Sequence, residues 1–128
     1  MGRNAIFGEF SPAVGEWFTS SFPEPTPAQA AGFARILSGE HTLISAPTGS
    51  GKTLAAFLVA IDRLVTRDPL ESSTTRVLYV SPLRALAFDV EKNLRSPIVG
   101  ISHAAERLGV AFREPLVAMR RSEEHTSE

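Results

Sequence analysis

The chain has no cysteine, so disulfides and thiolate metal sites are excluded, which fits a reducing compartment. Lysine is nearly missing too: Lys52 and Lys92 are its lysines, and arginine carries the remaining positive charge. Arginine suits phosphate contacts, and a coding sequence rich in G and C gives the same bias. There is no excess of either sign of charge, the formal net value being -1 at pH 7. No global basic field therefore advertises a nucleic-acid partner, although a locally basic groove stays open. No stretch approaches the ~20 apolar residues of a membrane span. Met1-Gly2-Arg3-Asn4 leads into no long apolar run, so neither a signal peptide nor a membrane partner is expected. Myristoylation wants Ser or Thr at position 6, where Ile6 stands. His41, His103 and His125 show no ligand spacing, which argues against a zinc site. A cytoplasmic location is the expectation.

What is present suits one globular domain: 128 residues, 43% hydrophobic and 21% charged. Ser11 before Pro12 reads as an N-cap with proline at the first helical position, opening a helix through about Ser20 with Val14, Trp17 and Phe18 on one face. Phe22 to Pro27 is a rigid, proline-rich connector. Thr26 can cap the next helix, with Pro27 at its first position and Gln29 placed to close a capping box. Ala30, Phe33, Ile36 and Leu37 continue at helical spacing, and Gly39 ends the helix. Thr42-Leu43-Ile44-Ser45 reads as a short buried strand, Leu54 to Val65 as a helix apolar nearly all round, and Arg76 to Val80 as a second buried strand. Helices are expected from Leu83 to about Leu94 and from Pro97 to Leu108, with Leu116 to Met119 a candidate third strand. Alternating strands and helices with short connections imply an α/β fold with a parallel sheet.

Between the first strand and the helix after it lies Ala46-Pro47-Thr48-Gly49-Ser50-Gly51-Lys52-Thr53. Its spacing satisfies the Walker pattern of a P-loop, with Ala46 where glycine is common. Gly49 and Gly51 let the chain curl so that backbone N–H groups point inward at phosphate. The helix that follows adds its own free N–H groups and dipole. Lys52 supplies a full charge for the β- and γ-phosphates, and the Thr53 hydroxyl offers a hard oxygen to Mg²⁺. ATP with Mg²⁺ is the expected ligand, and no other small-molecule substrate is indicated. Gln29 could bond the N6 and N7 edge of adenine, which would favour ATP over GTP; its alternative role is the cap with Thr26. Ser81-Pro82 ends the second strand at its carboxyl edge, where ligands of open parallel sheets gather.

In order, Phe22 with Pro25-Thr26-Pro27-Ala28-Gln29, then Ala46 to Thr53, then Ser81-Pro82-Leu83-Arg84-Ala85-Leu86-Ala87 resemble the Q motif, motif I and motif Ia of a superfamily 2 DExD/H-box helicase. Trp17-Phe18, Leu54-Ala55-Ala56-Phe57-Leu58 and Asp89-Val90-Glu91-Lys92-Asn93-Leu94 look like the Lhr-type DNA helicases. The resemblance runs from about Phe10 to Arg120. It implies a P-loop NTPase fold, RecA-like, with a parallel sheet flanked by helices. It implies that Thr26 and Gln29 serve the nucleotide and that an aromatic ring lies on the adenine, Phe10 first and Phe7 second, either of which could equally be core. It implies that Pro82, Leu83, Arg84 and Ala85 touch the backbone of single-stranded or forked nucleic acid, DNA above RNA; a solvated helix residue is the other reading of Arg84.

The family pattern continues with a DExH box, which these 128 residues do not contain. That acidic pair would hold Mg²⁺ and orient water, so Lys52 and Thr53 are the catalytic candidates left, and the sheet is expected to be incomplete. Residues 1–25 read as an N-terminal helix and lead-in, and 26–120 as a partial RecA-like ATP-binding domain. Residues 121–128, with no apolar side chain, read as a polar tail or read-through from a shifted frame. A small kinase or a non-hydrolysing ATP-binding module are the other classes that a phosphate loop allows.

Overall fold

The computed structural model describes residues 8–47, 51–68, 74–80 and 84–118, with backbone alone over 84–91. Four helices form in chain order: α1 (Pro12–Ser21), α2 (Pro27–Leu37), α3 (Lys52–Val65) and α4 (Arg84–Leu108).

Local chemistry sets the helix starts. Ser11 and Thr26 both sit in extended backbone directly before a proline, whose fixed φ and missing N–H suit the first helical position. In α2 the capping box closes as expected. Thr26 Oγ1 accepts from the Gln29 amide at 3.1 Å, and Gln29 Oε1 accepts from the Thr26 amide at 3.0 Å. In α1 the cap is different: the Ser11 side chain makes no bond to its own helix, and its hydroxyl and the Ser11 amide both donate to Asp62 of α3. The two helices expected at 83–94 and 97–108 are one, with Pro97 inside it. Proline disfavours helix in the residue before it. Here the apolar stripe of Leu94, Ile98 and Ile101 packs on one core along both halves, and that packing carries the helix through.

The helices pack as two pairs, α2 on α3 and α1 on α4. Three aromatic rings join the pairs. Phe33 of α2 meets the edge of Phe10 at 5.3 Å and of Phe18 at 5.8 Å, both near perpendicular. Such edge-to-face pairs add about 0.5–1.5 kcal/mol beyond their buried area. Leu58 and Val59 of α3 and Ile101 of α4 complete the centre.

The expected strands are not formed: among the described residues there is no strand. Segments 42–47, 74–80 and 110–118 have no regular structure. Each rests part of its length on the helices. Ile44 packs against the core, and the Tyr79 ring lies 5.2 Å from Phe57. The intervening side chains are open, with Leu43 at 93%, Leu78 at 81% and Val80 at 79% exposure. The apolar runs of 42–45 and 76–80 suit strands buried on both faces, but the described chain supplies a cover for one face and no ladder partner. The third candidate, from Leu116, is likewise exposed as far as it is described.

Among the described residues no helix is long and apolar enough to cross a membrane.

Candidate nucleotide site

The site is built at the first turn of α3. Gly51 is its N-cap and adopts the left-handed conformation, φ 78°, which a residue with a Cβ enters at a cost. Space forbids a side chain there as well, because a Cβ on Gly51 would run into the Gln29 amide. Gln29 Nε2 donates to the Gly51 carbonyl at 3.3 Å, and that same oxygen accepts the first helical bond from Ala55 at 3.0 Å. Gln29 is buried, so its amide is held from two sides: the α2 cap and the loop.

Lys52 and Thr53 follow Gly51 directly and are exposed. The Lys52 ammonium donates to the Ala46 carbonyl at 2.6 Å, bridging the two ends of the loop. Both residues line a cleft of about 370 Å³, walled by Ile44, Phe57 and Tyr79. Glu40 stands at its rim with its pKa held below the usual carboxylate value by the Ser38 hydroxyl first and then by Arg35, which binds it at 3.1 Å. It is thus an acceptor already satisfied by neighbours on its own turn.

Of the expected site residues, Thr26, Gln29, Gly51, Lys52 and Thr53 come together around the start of α3. Pro47 is exposed at the end of segment 42–47. Thr48, Gly49 and Ser50 lie outside the described residues, as do Phe7, Pro82 and Leu83. Arg84 and Ala85 open α4, with side chains outside the description. Phe10 is 5% exposed with its ring edge on Phe33, which fits the core alternative for that residue.

Asp62 is not among the residues expected at the site from the sequence. It is one of two buried polar residues among those described, the other being Gln29. Burial pushes its carboxyl pKa up, and the Ser11 hydroxyl and amide pull against that shift. The signal was present: Asp62 falls four residues after Leu58 and three before Val65, on the buried stripe of α3.

For Mg²⁺, this chain offers the exposed Thr53 hydroxyl, and among the described residues no group of His, Cys, Asp or Glu gathers to hold a metal. A single neutral oxygen beside an ammonium fits a cation that arrives with phosphate oxygens.

A family model of the DEAD/DEAH box helicases matches residues 26–118. The chain belongs to the DEAD/DEAH box helicase family. Within it, the chain is similar to the Lhr helicases. The Lhr helicase/probable uracil glycosylase of Mycolicibacterium smegmatis is 56% identical over 113 residues, covering 88% of this chain and 8% of that protein. The ATP-dependent helicase Lhr-Core protein 2 of Thermococcus barophilus is 42% identical over 120 residues, covering 92% of this chain and 14% of that one. A solved structure of the Mycobacterium smegmatis helicase Lhr bound to ssDNA and AMP-PNP matches with a TM-score of 0.77 at 49% identity, covering 95% of this chain and 16% of that one. The chain therefore spans only a small part of the length of these relatives. Family and likeness imply a RecA-like P-loop fold, of which the described residues form the helical part.

Proposed function

We propose that this chain is the ATP-binding part of the first motor domain of an ATP-dependent nucleic-acid helicase acting on DNA. The observation that carries the reading is that Lys52 and Thr53 line one cleft directly after Gly51, whose carbonyl is held by the Gln29 amide. The backbone N–H groups at the start of α3 are fixed donors for phosphate oxygens, and Lys52 adds the full positive charge. Its ammonium sits on a backbone carbonyl, a neutral acceptor that a phosphate oxygen outcompetes. Thr53 would hold Mg²⁺, which supplies neutralisation of phosphate charge when bound with the nucleotide. Gln29 would read adenine with the N–H and lone pair left over from its two internal bonds. Arg84, at the first turn of α4, would meet the sugar-phosphate backbone of single-stranded or forked DNA. The likeness to a helicase solved with ssDNA and AMP-PNP supports both ligands. No DExH sequence occurs in these 128 residues, so the acidic pair that would orient water is assigned to none of them.

The test is titration of a fluorescent ATP analogue with Mg²⁺. Lys52→Ala should weaken binding at least tenfold, a loss of about 1.4 kcal/mol or more. Binding unchanged by Lys52→Ala removes the assignment.

A further inference from the structure

The two helix pairs carry different ends of the proposed machinery. α3 begins at the phosphate loop, and α4 begins at Arg84. α1 is fastened to both. At its N-terminus the Ser11 amide donates to Asp62 Oδ1 at 3.2 Å and Oδ2 at 3.3 Å, and the Ser11 hydroxyl donates to the same carboxylate. One and a half turns on, the Trp17 indole lies so close to Gly100 of α4 that an added Cβ would run into its Nε1 and Cδ1. Glu16 and Arg107 then pair across the same two helices at 2.6 Å.

We propose that α1 is a strut that carries displacement between α3 and α4, entering at the Asp62–Ser11 contact and leaving at the Trp17–Gly100 contact. The inference rests on reading the start of α3 as a phosphate site. Asp62 lies ten residues beyond Lys52, about 15 Å along a single uninterrupted helix. A shift that accompanies filling of the loop therefore reaches Asp62 as a rigid-body motion. Ser11 must follow, since three bonds to one buried carboxylate hold it. Trp17 lies against Gly100 with no room for a methyl group between them, so a shift of α1 bears directly on α4. Coupling of this kind is reciprocal, so a ligand bound along α4 also changes the affinity at α3. Ser11, Asp62, Trp17 and Gly100 are positioning residues here and touch no ligand.

Amide hydrogen exchange on the full chain, with and without a non-hydrolysable ATP analogue and Mg²⁺, tests the strut. In the unmodified chain the analogue should slow exchange at residues 51–55 and also at 96–104, the latter by about fivefold or more. Asp62→Ala removes all three bonds of one fastening, and Gly100→Ala forces the other apart. Each variant should keep the protection at 51–55 and lose that at 96–104, with helix content by circular dichroism unchanged. Protection at 96–104 that persists in both variants, or that is missing from the unmodified chain while 51–55 is protected, overturns the strut. No protection at 51–55 in the unmodified chain overturns the ATP reading beneath it.

Discussion

Gln29 Nε2 stands 3.3 Å from the carbonyl oxygen of Gly51, while its Oε1 closes the cap on Thr26. One buried side chain thus ties the N-terminus of α2 to the glycine that opens α3. Its two possible duties, cap and adenine reader, are therefore not exclusive, since they use different hydrogen-bonding positions of one amide.

Gln29→Ala should accordingly fail in two measurable ways. Loss of the cap and of the bond to Gly51 should cost about 1–2 kcal/mol in urea unfolding. Preference for ATP over GTP should fall in competition against a fluorescent analogue. A selectivity ratio that stays put, with stability lowered, leaves Gln29 as a cap alone.

Gly51→Ala should be worse than an ordinary helix-start substitution. The left-handed φ costs roughly 1–2 kcal/mol for a residue with a Cβ, and the added methyl also displaces the Gln29 amide. Nucleotide binding should be lost together with stability. A melting temperature equal to that of the unmodified chain contradicts this.

Asp62 makes a pH prediction with a definite sign. Burial raises its folded pKa above the ordinary 3.8, so folding disfavours the charged form. Its contribution is fully present below the unfolded value and is lost as pH rises through the folded one. Asp62→Asn keeps an acceptor for Ser11 and no longer titrates. Its melting temperature relative to the unmodified chain should rise from pH 4 to pH 8. A gap that is flat across that range, or that moves the other way, rejects the argument.

The parts legible in the sequence were those decided within four or five residues. Ser11-Pro12 and Thr26-Pro27 with Gln29 announced two helix starts, and Gly51-Lys52-Thr53 announced the third. The parts that were not legible depend on distant partners. Phe10 could be core or cleft until Phe33 was seen against it. Asp62 has its partner 51 residues away. The apolar runs at 42–45 and 76–80 announced burial, but an apolar run does not say what will cover it. Pro97 argued for a helix boundary from local stereochemistry, and the continuous apolar stripe on α4 outweighed it.

Those uncovered runs lead to the last prediction. Leu43, Leu78 and Val80 are more than three-quarters exposed on segments that form no strand among the described residues, a combination that favours pairing between chains. The isolated chain should self-associate in light scattering as its concentration rises, and its thermal unfolding should be irreversible. Charge on an exposed segment opposes strand pairing while leaving the helices untouched. Leu78→Lys, with or without Leu43→Lys, should therefore lower the scattering and leave the helical circular dichroism signal unchanged. Phe33→Ala provides the contrast, since it opens the aromatic joint itself and should cost about 3–5 kcal/mol. A reversible, cooperative melt of unmodified monomer would show that the exposed segments are not sticky, and an increase in scattering with Leu78→Lys would show that the association runs through another surface.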